Sequence, residues 1–238
     1  MSKQLIYNDL FATKTLYIKD FKCLNSIGSG KPHEININRA LSNPILFDNI
    51  TLQIENIIKT KSINFNKICA TSISAIPYAT NTATSFEKAI AFVNDGGNIG
   101  CHEEKANIAN IKIEGGLDID DQVLLIETVV TNDFYLENIV EKIRKYGGNV
   151  VGIILIINQC EGEYCNLTAN KENIFPVLNL FDIFNYLENN NLVEMFYSEK
   201  IKFYCEKETK LNIKKLIPPI AEVFPDNNTT NSNNGNSN

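Results

Sequence analysis

The sequence predicts an α/β protein built on a parallel sheet with helices on its faces. Three observations carry that prediction. From Lys67 onward, short apolar runs alternate with stretches of helical periodicity, the pattern of strands joined by crossover helices. Residues 150–157 are almost continuously apolar, as a strand covered on both faces must be. The chain has 238 residues, 44% of them hydrophobic, which is ample for the core of one large domain.

The elements follow in order. Residues 17–38 read as an N-terminal hood of short strands or turns. Asn43 and Pro44 open an amphipathic helix over 45–59. A strand over 68–73, a short helix over 75–84 and a strand over 89–93 come next, ending at the breaker Asn94, Asp95, Gly96, Gly97. A long polar loop then runs to about Lys112. The clearest strand spans 122–127, and the helix after it spans 134–145, with Leu136, Ile139, Val140 and Ile143 on one stripe. That stripe reads as core, not as a membrane-binding face. Gly147 and Gly148 cap this helix. The strand at 150–157, a short strand at 174–177 and a helix at 180–187 complete the domain.

One domain is therefore expected over 1–191, with its hood at about 15–44. An appendage follows at 192–225, with elements over 194–205 and 211–224. Residues 226–238 contain no apolar side chain and are expected to form a disordered tail, since nothing in them offsets ordering entropy.

Composition excludes several functions. A net charge of −6, with no run of Lys or Arg, argues against binding nucleic acid or an anionic membrane surface. No stretch approaches a membrane span or a signal-peptide core, so a cytoplasmic location is expected. The six cysteines, Cys23, Cys69, Cys101, Cys160, Cys165 and Cys205, are scattered without a CxxC and read as reduced thiols. Cys160, Cys165 and His102 lack the spacing of a zinc site. Asp118, Asp120 and Asp121 lack calcium-loop spacing and read as a solvated turn.

In open parallel sheets ligands sit outside the carboxyl ends of strands. Three such ends stand out here, at 70–72, 127–133 and 158–162. No GxSxG, HExxH or GxxxxGK[ST] pattern supplies another mechanism.

At these ends the chain resembles the orotate phosphoribosyltransferase family, alone or as the first half of uridine monophosphate synthase. The carrying segments are Ile113, Glu114, Gly115, Gly116 followed by the strand to Glu127, Thr128, Val129, Val130 and Thr131, then Gly147, Gly148, Asn149 and Val150. Residues 68–80 are similar to the family's V-C-G-V-P-Y-T-A-L-P-L-A-T, and 32–44 fall in register with its P-I-Y-x-D-L-R segment. Residues 153–162 sit where it carries L-L-D-R-E-Q-G-G. Coverage is roughly 15–190. The resemblance implies a Rossmann-like, type I phosphoribosyltransferase fold and, in the family, dimers that share loops.

The family's ligand groups are mostly replaced. Its turn E-D-V-V-T-T-G-G-S holds the ribose of phosphoribosyl pyrophosphate with two acids and its 5′-phosphate in a cup of small residues. Here Glu127 and Thr131 stand, Thr128 replaces the second acid, and the cup reads Asn132, Asp133, Phe134, Tyr135. Bulky side chains fill a space that needs inward N–H groups. A carboxylate ~5 Å from phosphate adds repulsion of roughly 3 kcal/mol per unit charge at an effective dielectric of about 20. In the mobile-loop pattern R-K-x-x-K-x-[HY]-G only Lys105 matches, with His102 in place of the other lysine. The arginine that grips the orotate carboxylate falls on Asn158, the arginine of D-L-R on Asn38, and the lysine of K-S-G on about Ser26. Uncharged side chains cannot form that bidentate clamp.

Simpler roles compete at each position. Glu127 can serve as a helix N-terminal charge, Lys105 and His102 as solvated loop groups, and Ser72 and Ser74 as caps. The leading expectation is thus a catalytically inactive member acting as a scaffold, assembly component or regulator, in a homodimer or hetero-assembly and without a cofactor. The alternative is a working enzyme that joins orotate to phosphoribosyl pyrophosphate with Mg²⁺. In it Glu127, Thr128, Thr131, Asn132, Asp133, Ser72 and Asn158 bind substrate, while Lys105 and His102 assist departure of pyrophosphate. A third reading keeps the pocket for another ligand, stacked on Phe134 and Tyr135.

Overall fold

The structure, a computed structural model, describes residues 3–18, 33–94, 111–130, 133–159 and 173–194, together with 199 and 203; of 133 and 134 it describes the backbone only. The expected tail, most of the appendage and the 95–110 loop lie outside these residues.

Six strands form the main sheet: β3 (Lys67–Ala70), β4 (Ala89–Asn94), β5 (Lys112–Glu114), β6 (Gln122–Val129), β7 (Asn149–Asn158) and β8 (Ile174–Asn179), in the order β5-β4-β3-β6-β7-β8. All neighbours are parallel except β4 and β5. Five helices with described bounds accompany them: α1 (Lys3–Ala12), α2 (Pro44–Thr60), α3 (Ile76–Ser85), α4 (Asp133–Lys145) and α5 (Leu180–Asn189). The hood is a hairpin of β1 (Leu16–Ile18) and β2 (His33–Ile35), paired antiparallel with Leu16 opposite Ile35.

Local chemistry sets these elements. Pro44 occupies the first turn of α2, and the Asn43 side chain accepts a hydrogen bond from the Leu46 amide, which satisfies one orphan donor. Leu46, Ile50, Ile54 and Ile58 then recur on one face and are buried. On α4 the stripe Leu136, Ile139, Val140 and Ile143 is buried as expected. Lys142, Arg144 and Lys145 fall in its last turn, where cations complement the helix dipole. Gly147 ends it at φ +88°, with the Gly148 amide bonded to the Ile143 carbonyl.

The sheet separates two cores. Ile68, Ala70, Leu124 and Ile126 face a cluster that includes residues of α1, α2, α3 and α5. Cys69, Val123 and Leu125 face a second cluster filled by α4. Burial pushes the Cys69 thiol up to about 12, so it is an inert apolar filler. Because α3 follows β3 on one face and α4 follows β6 on the other, the chain leaves these adjacent strands in opposite senses. Their carboxyl ends flank the topological switch point, where ligands of such sheets bind.

The structure corrects four expectations. Helix α1 was not anticipated; it buries Ile6, Tyr7 and Leu10 and meets α5, where the Tyr7 and Tyr186 rings lie 5.5 Å apart. The end of the polar loop holds a strand, β5. The strand expected at 68–73 stops at Ala70 and gives way to a 3-10 turn, Ile73–Ala75. The acidic turn is not wholly solvated. Asp118 is exposed, but the Asp121 carboxylate is buried and pairs with the equally buried Lys67 ammonium at 2.6 Å. Lys67 also donates to the Gly116 carbonyl, while Asn66 and the Asp118 amide donate to Asp121. Burial would raise the Asp121 pKa, yet the Lys67, Asp118 and Asn66 hydrogen bonds and the Lys67 charge bring it below the usual carboxylate range.

Two outcomes follow. Asp121→Asn leaves buried Lys67 with only the exposed Asp118 carboxylate, 3.8 Å away, as counter-charge and is expected to lower unfolding free energy by about 3 kcal/mol in denaturant titration. The folded-state pKa is depressed, so this contribution is complete above about pH 4. It is lost as pH falls through the folded value, and the variant should lack that part of the acid limb. Gly115→Ala should cost about 2 kcal/mol or more by the same measurement, because Gly115 lies at φ +89° and an added Cβ would sit 2.6 Å from the Ile90 carbonyl oxygen.

Candidate functional site

The site forms where β3 and β6 end side by side, with Ala70 opposite Ile126. Past this register point the next residues of both strands turn toward each other. Glu127 is 5% exposed and Thr71 is fully buried. Such a carboxylate needs hydrogen-bond donors in place of water, and its own chain supplies them. The Thr71 hydroxyl lies 2.7 Å from Oε2. The Ser72 hydroxyl donates to Oε1 at 2.8 Å, joined there by the Thr128 hydroxyl at 3.0 Å and the Thr128 amide. The Thr71 amide bonds to the Ile126 carbonyl, continuing the β3–β6 ladder by one rung.

The sequence-predicted residues divide clearly. Ser72, Glu127 and Thr128 come together in one cluster. Ser72 makes no capping bond to the helical turn after it; its hydroxyl serves Glu127 instead, so the capping expectation is corrected. Asn158 stands apart at the end of β7, where its amide donates to Asn179 Oδ1 at 3.2 Å and Asn179 donates on to Asp182. Asn38 lies in a 3-10 turn, Ile37–Ser42. Thr131, Asn132, the Asp133 and Phe134 side chains, Ser26, His102, Lys105, Cys160 and Cys165 lie outside the described residues.

Sequence reasoning gave no role to one member of the site and a different role to another. Thr71 is the central hydroxyl of the cluster, yet the sequence offers it only as part of the strand end at 70–72. Tyr135, read as filling the cup, reaches across from the first turn of α4 and donates its hydroxyl to the Thr71 carbonyl at 2.8 Å. The hood also touches this end of the sheet. His33 Nε2 lies 3.2 Å from Gln159 Oε1 beside the β7 end, and both side chains are buried.

Chemically, the cluster is a polar knot. Among the described residues it offers hydroxyls and one carboxylate but no cation, and that carboxylate is already bonded. Among the described residues no group of three or more His, Cys, Asp or Glu could hold a metal ion, and no helix is long and apolar enough to cross a membrane.

Glu127→Ala removes the acceptor shared by three hydroxyls and an amide; it strands the buried Thr128 hydroxyl and amide, while Thr71 keeps the Ile126 carbonyl and half-buried Ser72 can turn to solvent. It should lower stability by about 2–4 kcal/mol in denaturant titration, with the largest rise in amide exchange at 71–72 and 128. A change below about 0.5 kcal/mol would show that the knot carries little of the fold.

Comparison with known proteins places this geometry. No protein-family model matches the chain. It is 24% identical over 157 residues to orotate phosphoribosyltransferase of Pyrococcus horikoshii, covering 66% of this chain and 81% of that one. With the Sulfolobus acidocaldarius enzyme of the same name it is 24% identical over 198 residues, 83% of this chain and 94% of the other. The crystal structure of orotate phosphoribosyltransferase from Aeropyrum pernix superimposes with a TM-score of 0.63 at 17% identity, covering 79% of this chain and 99% of that one. In sequence and in fold, the chain is similar to orotate phosphoribosyltransferases.

Proposed function

We propose that this chain keeps the family fold as a binding protein and transfers no phosphoribosyl group, serving as a scaffold, assembly component or regulator. One observation carries the reading: both oxygens of Glu127 are taken by Thr71, Ser72 and Thr128 of the same chain. To turn toward ribose hydroxyls the carboxylate must give up these bonds, which takes the buried Thr128 hydroxyl off its acceptor and leaves the Thr71 hydroxyl only the Ile126 carbonyl, 3.0 Å away. Each such loss costs about 1–3 kcal/mol. Thr128 supplies no second negative charge, and Asn158 spends its amide on Asn179. A homodimer or a hetero-assembly is the natural form for such a protein, since its function then rests on surfaces.

The comparisons by themselves favour a second reading, in which the chain is an active orotate phosphoribosyltransferase. Its relatives carry that name and match it over most of their length. Under this reading Glu127 swings from its knot to hold the ribose, Mg²⁺ arrives with the pyrophosphate of the substrate, and Lys105 with His102 eases departure.

Calorimetric titration of the purified chain with phosphoribosyl pyrophosphate and Mg²⁺ at low salt separates the two. The binding-protein reading predicts no saturable heat up to millimolar ligand and no orotidine monophosphate when orotate is added. Micromolar binding with turnover establishes the enzyme instead.

A further inference from the structure

We propose that the turn at 117–121 and the end of α4 form a docking surface for a second copy of this chain. The inference rests on the binding-protein reading for what the contact serves, and it names the partner. The surface lies at the amino ends of β6 and β7, away from the Glu127 knot at the carboxyl end of β6. Its centre is apolar. Ile119 is 78% exposed and Tyr146 is 50% exposed. Ile119 lies against Gly147, where an added Cβ would sit 3.2 Å from its Cγ1, and Gly147 follows Tyr146 in the chain. The flanks carry opposite charges. Asp118 and Asp120 are exposed on either side of Ile119. Lys142 stands 5.8 Å from the Tyr146 ring centroid, and Arg144 and Lys145 complete the basic last turn of α4. Lys145 also meets exposed Glu141 at 3.6 Å, a contact of little strength in water. The turn is held firmly, since the Asp120 amide donates to the Gly147 carbonyl and the Asp118 amide to the buried Asp121 carboxylate. Docking therefore costs little ordering entropy. A patch acidic on one side and basic on the other is complementary to itself under a two-fold rotation. Two copies related in this way set the acidic turn of each against the α4 end of the other, with Ile119 meeting Tyr146 at the centre. That charge pattern favours a like copy over a partner of a single sign. With two apolar side chains at its centre, the surface suits a weak, salt-sensitive dimer instead of a permanent one.

The test is sedimentation equilibrium of the full-length chain from micromolar to millimolar concentration, at low and at high salt. A reversible dimer is expected, weakened at least tenfold by high salt. At low salt Ile119→Asp should weaken it at least tenfold, and so should Asp120→Lys and Lys142→Glu taken singly. Mixing the last two variants in equal amounts should restore the dimer, because each then offers the other an opposite charge. A chain that stays monomeric to millimolar concentration, a dimer indifferent to Ile119→Asp, or a mixture that fails to associate overturns the proposal. Asp120 lies at φ +68°; should its lysine variant fail to fold, Ile119→Asp decides alone, since that side chain is exposed. Turnover of phosphoribosyl pyrophosphate by the unsubstituted chain would instead strike the binding-protein reading without moving the dimer, so the two failures are distinguishable.

Discussion

A carboxylate buried at the end of a central strand must have its lone pairs met from within the protein, and the arrangement around Glu127 follows from that requirement. Water is excluded there, since Glu127 and Thr71 are both buried. Thr71, Ser72 and Thr128 supply the donors, which fixes the direction in which the chain leaves both strands. The tie from Tyr135 to the Thr71 carbonyl then sets where α4 begins relative to β3. The opposite end of the same strand pair carries a second buried charge, the Lys67–Asp121 pair. The β3–β6 ladder is thus closed at both ends by buried ionic groups, with two apolar cores between.

This arrangement connects fold to function through a simple competition. In an open sheet the switch point is available because the two loops diverge and leave polar groups for a ligand. Here the polar groups are present but satisfied by one another. Retaining a strand-end acid therefore says little about sugar binding, because the same acid can hold its own loops in place. The substitution of Thr128 for a second acid fits that role, since a hydroxyl donates to Glu127 where a carboxylate would repel it.

Much of the fold was legible in the sequence because it is written in local periodicity. The α4 stripe, the cap at Gly147 and the apolar run of β7 all follow from neighbours within a few residues. Helix α1 escaped because its segment KQLIYNDLFA mixes polar and apolar side chains, and its three buried residues matter only once α5 is in place. Strand β5 escaped because two of its three residues are charged and exposed. The site was legible in its members and not in their partners. Ser72 looked like a cap because the nearest acceptors in sequence are helical, whereas its true partner lies 55 residues away. Asp121 looked solvated for the same reason, since Lys67 reaches it only across the sheet. Hydrogen bonds of such separation leave no periodic trace.

A binding protein that transfers no phosphoribosyl group requires the Glu127 carboxylate to stay with its own chain when ligand is offered. A crystal structure grown with millimolar phosphoribosyl pyrophosphate and Mg²⁺ tests this directly. The expected result is Thr71, Ser72 and Thr128 still within hydrogen-bond distance of Glu127, Tyr135 still on the Thr71 carbonyl, and no sugar at the ends of β3 and β6. A ribose seated there, with its hydroxyls on Glu127 and the Tyr135 ring displaced, would contradict it.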